Sequence, residues 1–221
     1  MDYSPSFATT HLAILDACMK SPKCKRFIPS EFGANVQEHP EFANPFAHTH
    51  IESLQAQNDV EWTVVAVGWL ADYVVPSKNR FHADIGPAHP LDHNSKIMTI
   101  PGDGRYPVSF TSARDSPLVH IQGDTMTWLE VAKLIKMRGL IPDLTVRFEP
   151  VEPLQKLLQS PESSSPDALL ATMLKLFSAT GAAHFDRTSV AQDRLDYFPQ
   201  LQLRTVGDLV DAAMADANAF V

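Results

Sequence analysis

The chain has 221 residues, 44% of them hydrophobic and 20% charged, enough to bury one sizeable core or a core with a small appendage. Its formal charge of −8 and thinly spread Lys and Arg exclude a nucleic-acid surface, which needs clustered basic residues. No window reaches the 18 or so apolar residues of a membrane span, and the first fifteen residues lack the basic start and apolar centre of a signal peptide, so the expectation is a cytoplasmic protein without a membrane partner.

In chain order, Thr9-Thr10 is placed to cap a helix in "THLAILDACMKS", where Leu12, Leu15 and Met19 keep a helical interval and Ser21-Pro22 ends it. Cys18 and Cys24 sit six apart with no Cys or His at zinc-finger spacing, which favours free thiols over a metal site or a disulfide. A strand, "KRFIPS", follows. "NPFAHTHIESLQAQND" places Phe46, Ala47, Ile51 and Leu54 at helical spacing, and "EWTVVAVGWLADYVV" is a β-branched run of the kind buried on both faces of a parallel sheet. "SKIMTIPGDGRYPVSFTSARD" reads as a hairpin turning at Pro101 to Gly104, in which Asp103 bonds to its own backbone. "LVHIQGD" and "LTVRFEPV" are short strands on either side of a helix in "TWLEVAKLIKMRG", which Thr127 and Glu130 open as a capping box and Gly139 stops. "QSPESSSPDA" is a loop before a helical tail with Leu169, Leu170, Met173, Leu174 and Phe177 on its apolar side, and a final helix starts near Thr205.

Helices alternating with strands imply an α/β fold with parallel strands, whose right-handed crossovers gather the loops after each strand along one edge. The candidate site is therefore Pro29 to Gly33 after one strand and Gly68 to Tyr73 after the next.

"KRFIPSEFG", a helix, "EWTVVAVGWLADYVV", "PGDGRYPVSFTSARD", "IQGDTMTWLEVAKLI" and "LRTVGDLVDA" occur in that order, and together they resemble the NmrA-like and isoflavone reductase-like group of atypical short-chain dehydrogenases over nearly the whole chain. The resemblance implies a Rossmann-type parallel sheet, NADPH as cofactor, and reduction of a small organic molecule in specialised metabolism. It divides the chain into residues 1–115, the remnant of a dinucleotide-binding domain, and residues 116–221, a small α/β substrate-side region. Two departures accompany it. None of the nine glycines forms GxGxxG or GxxGxxG, and Met1 falls just before the helix leading into the family's fourth strand, so two βαβ units of about 30 residues each are expected to be missing. After "TSARD", Ser116-Pro117 leads almost directly into "LVHIQGD" where the family has a helix. The expectation is either an abridged gene model, splice form or decayed copy, or a chain that functions in this form. Without a phosphate loop these 221 residues are predicted to bind NADPH poorly: a titration should give no saturable fluorescence change, and a micromolar or tighter Kd would count against this. The strand at Lys25 to Ser30 becomes a sheet edge, which predicts self-association unless "MDYSPSF" covers it.

By resemblance Ser30, Glu31, Phe32 and Gly33 line the nicotinamide end of the cleft; the plain alternative is that Pro29 ends a strand and Gly33 permits a turn. Gly68 would let a cofactor or substrate approach the backbone and Trp69 would wall the pocket, with core packing of Trp69 as the alternative. In the isoflavone reductase-like enzymes a catalytic lysine sits on the helix before "EWT", and His48 stands at that position. An imidazole titrating near neutrality can relay protons there; an inert surface histidine is the alternative. His48 and His50 lie about 200° apart on a helix and do not converge on a metal. His82, His89 and His93 fall in a proline-bearing loop and are expected to be solvated. Beside the reductase reading stand a non-catalytic NmrA-like binding or regulatory module and a cofactor-free isomerase, cyclase or dehydratase using His48.

Overall fold

The structure, a computed structural model, describes residues 6–30, 33, 39, 53, 56–57, 59–63, 65–111, 122–159, 165–197, 199–219 and 221. The expected helix around Phe46 to Leu54, apart from Ser53, and the segment around Asp115 lie outside the described residues.

Helix α1 runs Ser6–Lys20, a turn longer at its start than the cap at Thr9-Thr10 predicts. Phe7 explains the extension: it is buried, its ring lies 4.1 Å from that of His11, and its carbonyl is 3.1 Å from His11 Nδ1. Strand β1 (Arg26–Phe27) pairs in parallel with β2 (Glu61–Trp62), Arg26 opposite Glu61 and Phe27 opposite Trp62. The strand is shorter than expected because Pro29 has no N–H to give the ladder. Leu15, Phe27 and Val60 form a small core between α1 and this pair.

The long apolar run is not one strand. Val65, Ala66 and Val67 are buried as anticipated, but Gly68 at φ +65° breaks the extended path. The chain resumes as β3 (Trp69–Leu70) and tightens into a single 3-10 turn over Ala71–Val74 before Pro76. Strand β3 pairs in parallel with β6 (Pro107–Thr111), and β6 is antiparallel to β7 (Asp124–Thr127). A second three-stranded sheet orders β4 (Leu91–Asp92), β5 (Ile97–Pro101) and β8 (Thr145–Glu149), with β4 antiparallel and β8 parallel to β5.

The expected hairpin at Pro101 to Gly104 is therefore corrected. Gly102 and Gly104 do turn at φ +72° and +71°, and Asp103 Oδ1 accepts from the Arg105 N–H at 3.0 Å, but the flanking strands β5 and β6 enter different sheets. The turn forms, but no ladder closes across it: β5 lies between β4 and β8, and β6 between β3 and β7.

Helix α2 (Trp128–Met137) has the anticipated capping box, the Thr127 side chain accepting from the Glu130 N–H while Glu130 accepts from the Thr127 N–H. It buries Trp128, Val131, Ala132 and Ile135, and Gly139 at φ +80° follows its end. Helices α3 (Val151–Gln159) and α5 (Arg187–Tyr197) have no counterpart in the sequence reading; α3 was hidden behind Glu149-Pro150, which reads as the end of a strand. Helix α4 (Pro166–Thr180) starts on Ser165, whose side chain accepts from the Ala168 N–H, and stops at Gly181, φ +81°. Helix α6 (Val206–Ala215) opens on Thr205 and Asp208, and the Val206 N–H donates to Asp124 Oδ2 at 3.3 Å, tying α6 to β7.

One core joins both three-stranded sheets to α2, α4 and α6 through Met98, Ile100, Phe110, Trp128, Leu176 and Leu209. The architecture is the expected α/β class with parallel pairs. Among the described residues no helix is long and apolar enough to cross a membrane.

Candidate functional site

Two strand ends meet at a pair of glycines. The Gly68 N–H donates to the Gly33 carbonyl at 3.2 Å, bringing the segment after β1 against the end of the buried run Val65–Val67. A Cβ on Gly68 would lie 2.4 Å from the Ser109 carbonyl oxygen, and one on Gly33 would meet Phe177 Cε2 at 3.5 Å. Gly68 is thus demanded by the close approach of β6, rather than by a ligand reaching the backbone. Ser109 is itself fully used: its N–H donates to the Ala183 carbonyl at 2.8 Å, and its hydroxyl donates to Gln122 Oε1 at 2.8 Å while accepting from the Phe185 N–H at 3.0 Å.

Trp69 is buried, and its indole N–H donates to Ser178 Oγ at 3.0 Å, which locks β3 to α4. The same ring forms part of a cavity of about 120 Å³, bounded by Gly33, Gly68, Trp69, Leu70 and Tyr73 on one side and by Leu170, Leu174 and Phe177 of α4 on the other, with Ile85 and Ala183 at its margins. Trp69 is thus packed in the core and at the same time borders this cavity.

Of the residues singled out from sequence, Gly33, Gly68 and Trp69 come together at this cavity. Ser30 does not: its N–H donates to His11 Nε2 at 3.2 Å, toward α1. Glu31, Phe32 and His48 lie outside the described residues. Tyr73 closes the candidate stretch Gly68 to Tyr73 but was given no role of its own, and Ile85 was passed over; the apolar stripe of α4 was legible, but not the cavity it bounds.

Behind the cavity lies an aromatic cluster that corrects the reading of the histidines. His82 is exposed as expected, yet His89 is buried, and its ring meets Trp69 at 5.3 Å, Trp128 at 5.4 Å and Tyr73 at 5.4 Å. Burial pushes its pKa down to about 3, with the positive Arg80 and His93 lowering it further and the backbone at Leu91 opposing. Its Nδ1 lies 3.2 Å from the Leu91 carbonyl and 3.3 Å from the Leu91 nitrogen, while Nε2 is buried without a partner. His93 is partly buried and is also lowered, first by burial and then by Arg80. The proline-bearing loop folds inward because the rings bring apolar area that only the core can cover.

Arg80 explains the cluster's polarity. Its guanidinium sits 4.8 Å above the Tyr73 ring, pairs with Asp84, and has its own pKa lowered chiefly by burial. Burial likewise raises the Tyr73 phenol, against the opposing pull of Arg80. Tyr73, one of the residues lining the cavity, therefore carries a protonated phenol at neutral pH, a donor suited to an oxygen or nitrogen acceptor.

Among the described residues every side chain bounding the cavity is uncharged, which suits an aromatic ring or a small apolar molecule and offers nothing to a pyrophosphate. The described residues thus fit the nicotinamide end of a dinucleotide and not its phosphates. Among them no three His, Cys, Asp or Glu side chains gather as for a metal ion.

Comparison with known proteins agrees with this architecture. The chain is 32% identical to the oxidoreductase swnR of Arthroderma benhamiae over 224 residues, covering 93% of this chain and 72% of that protein. Its fold matches the leucoanthocyanidin reductase–NADPH binary complex of Vitis vinifera at a TM-score of 0.66 and 16% identity, covering 96% of this chain and 73% of that one. It also matches an isoflavone reductase at a TM-score of 0.64 and 20% identity, covering 92% and 70%. No family model matches. The chain belongs to the same family as the swnR oxidoreductases, and it shares the fold of the isoflavone and leucoanthocyanidin reductases, the group its ordered motifs resemble.

Proposed function

We propose that the protein is an NADPH-dependent reductase of a small organic molecule in specialised metabolism, with the cavity between β3 and α4 seating the substrate beside the nicotinamide. The observation that carries this reading is the convergence of Gly33, Gly68 and Trp69, from two separate strand ends, on one uncharged cavity closed by α4. In this reading residues 1–115 supply the cofactor side and residues 116–221 the substrate side. NADPH, when bound, supplies a hydride. The chain's own part is to bury the reacting groups among Trp69, Leu174 and Phe177, to exclude water there, and to hold a hydroxyl at Tyr73 against the substrate. His48 stands where the resemblance to isoflavone reductase-like enzymes implies a lysine, and in this reading it serves as the proton relay.

The test is NADPH oxidation against a panel of small carbonyl, enol-ether and imine compounds, in whichever length of the chain turns over. His48→Ala is expected to lower kcat roughly 10²-fold with the far-UV spectrum unchanged, the usual scale for a positioned acid-base group. An active enzyme whose kcat and pH profile ignore that substitution would remove His48 from the mechanism. Leu174→Trp, which fills the cavity from α4, is expected to lower kcat/KM at least about tenfold; unchanged turnover would place the substrate elsewhere.

A further inference from the structure

Cys18 and Cys24, remote in character from the cavity, are brought together at the end of α1. The chain leaves the helix through two consecutive turns, the Ser21 N–H donating to the Cys18 carbonyl at 3.1 Å and the Cys24 N–H to the Ser21 carbonyl at 3.2 Å. These turns fold Cys24 back to the helix terminus. Both thiols are free and half-buried, both border the same open surface groove beside Ala17 and Ser21, and both pack on the small core of Leu15, Phe27 and Val60. The Cys24 thiol also reaches the Arg26 carbonyl at 3.7 Å. The turns and the shared groove bring the two thiols into one neighbourhood, and Cys24 is the first of the influences that raise the Cys18 thiol. The spacing had argued against a disulfide only because it said nothing of these turns.

We infer that Cys18 and Cys24 form an oxidisable dithiol, a modification site whose disulfide staples the end of α1 to the start of β1. The oxidant is a low-molecular-weight disulfide. One protein thiolate attacks it, forming a mixed disulfide and expelling the first small thiolate. The other protein thiolate then attacks the protein sulfur of that mixed disulfide and expels the second. The two electrons pass from the protein dithiol to the small disulfide, and the two thiol protons end on the two small thiols released. The open groove that both half-buried cysteines border admits the reagent, and their proximity across the two turns favours the intramolecular second step over a lasting adduct.

The bond would fall where the described elements hold together through few contacts. Strands β1 and β2 are two residues each, and α1 is joined to them through the small core and through the Ser30 N–H to His11 Nε2 bond.

The experiment equilibrates the full 221-residue chain with glutathione buffers of graded oxidised-to-reduced ratio, quenches by acid and alkylation, and maps the peptides. Cleavage after Lys20, Lys23 and Lys25 separates the two cysteines, so their disulfide appears as a linked pair of peptides lighter by two hydrogens. The expected result is that linked pair, with an equilibrium constant for its formation at least about tenfold larger in native buffer than in denaturant. Cys24→Ser should instead accumulate a stable glutathione adduct at Cys18, since its resolving partner is gone. Persistent adducts on both cysteines of the unsubstituted chain, unreacted thiols, intermolecular links, or equal equilibrium constants in native buffer and denaturant would each overturn the inference.

Discussion

Gly68→Ala is expected to destabilise the fold by about 2–5 kcal/mol, and to lower the midpoint of thermal unfolding by roughly 5–15 °C. Two effects add. The residue sits at φ +65°, where an L side chain costs about 1–2 kcal/mol. The new Cβ would also lie 2.4 Å from the Ser109 carbonyl oxygen, which is backbone and cannot swing aside. Ser109 is anchored on three sides by Ala183, Gln122 and Phe185, so relief requires β3 and β6 to separate. The same shift would pull the Gly68 N–H from the Gly33 carbonyl and open the cavity. Gly102→Ala is the control: its Cβ would meet only side chains at 3.4 Å, so the φ cost alone should appear. Equal midpoints for Gly68→Ala and Gly102→Ala would show that the close approach to Ser109 carries no energy.

Acid should unfold the protein through His89. In the unfolded chain this imidazole has its ordinary pKa of 6.5, and in the folded core burial holds it at about 3. Between those values the unfolded state binds the extra proton, so the stabilisation is full above pH 6.5 and is lost as the pH falls toward 3. The slope is about 1.4 kcal/mol per pH unit, and the whole loss is on the order of 4–5 kcal/mol, comparable with the stability of many domains. His93, lowered by burial and by Arg80, adds to the slope in the same direction. His89→Phe keeps a ring between Trp69, Trp128 and Tyr73 and removes the titration. Urea unfolding at pH 7 and near pH 4 should show a smaller loss for H89F than for the unsubstituted chain. Parallel losses in both would mean that other groups govern the acid limb.

Much of the candidate site was legible before any coordinates. Glycine and tryptophan in a β-branched run pointed to Gly68 and Trp69, and the gathering of loops after parallel strands along one edge pointed to the Gly33 stretch as their neighbour. The reason offered for Gly68 was nevertheless different from the one the structure supplies, because a glycine that admits a ligand and one that admits a neighbouring strand leave the same letter. Tyr73 fell inside the candidate stretch Gly68 to Tyr73 only by position: its importance comes from Arg80 above its ring and from α4 across the cavity.

The capped helices α2 and α6, the glycine turns and the α/β class were set by the order of residues, because capping and turn chemistry act over three or four positions. Thr127 with Glu130 and Thr205 with Asp208 satisfy their own helix ends whatever surrounds them. Strand partners were decided only in three dimensions. Pro101 and Pro107 flank a sound turn, yet β5 joins β8 and β6 joins β3 and β7, since a strand settles wherever the whole chain covers its apolar face. The same competition drew His89 out of a polar-looking loop and into the rings of Trp69 and Trp128, where buried aromatic area outweighs the hydration an imidazole gives up.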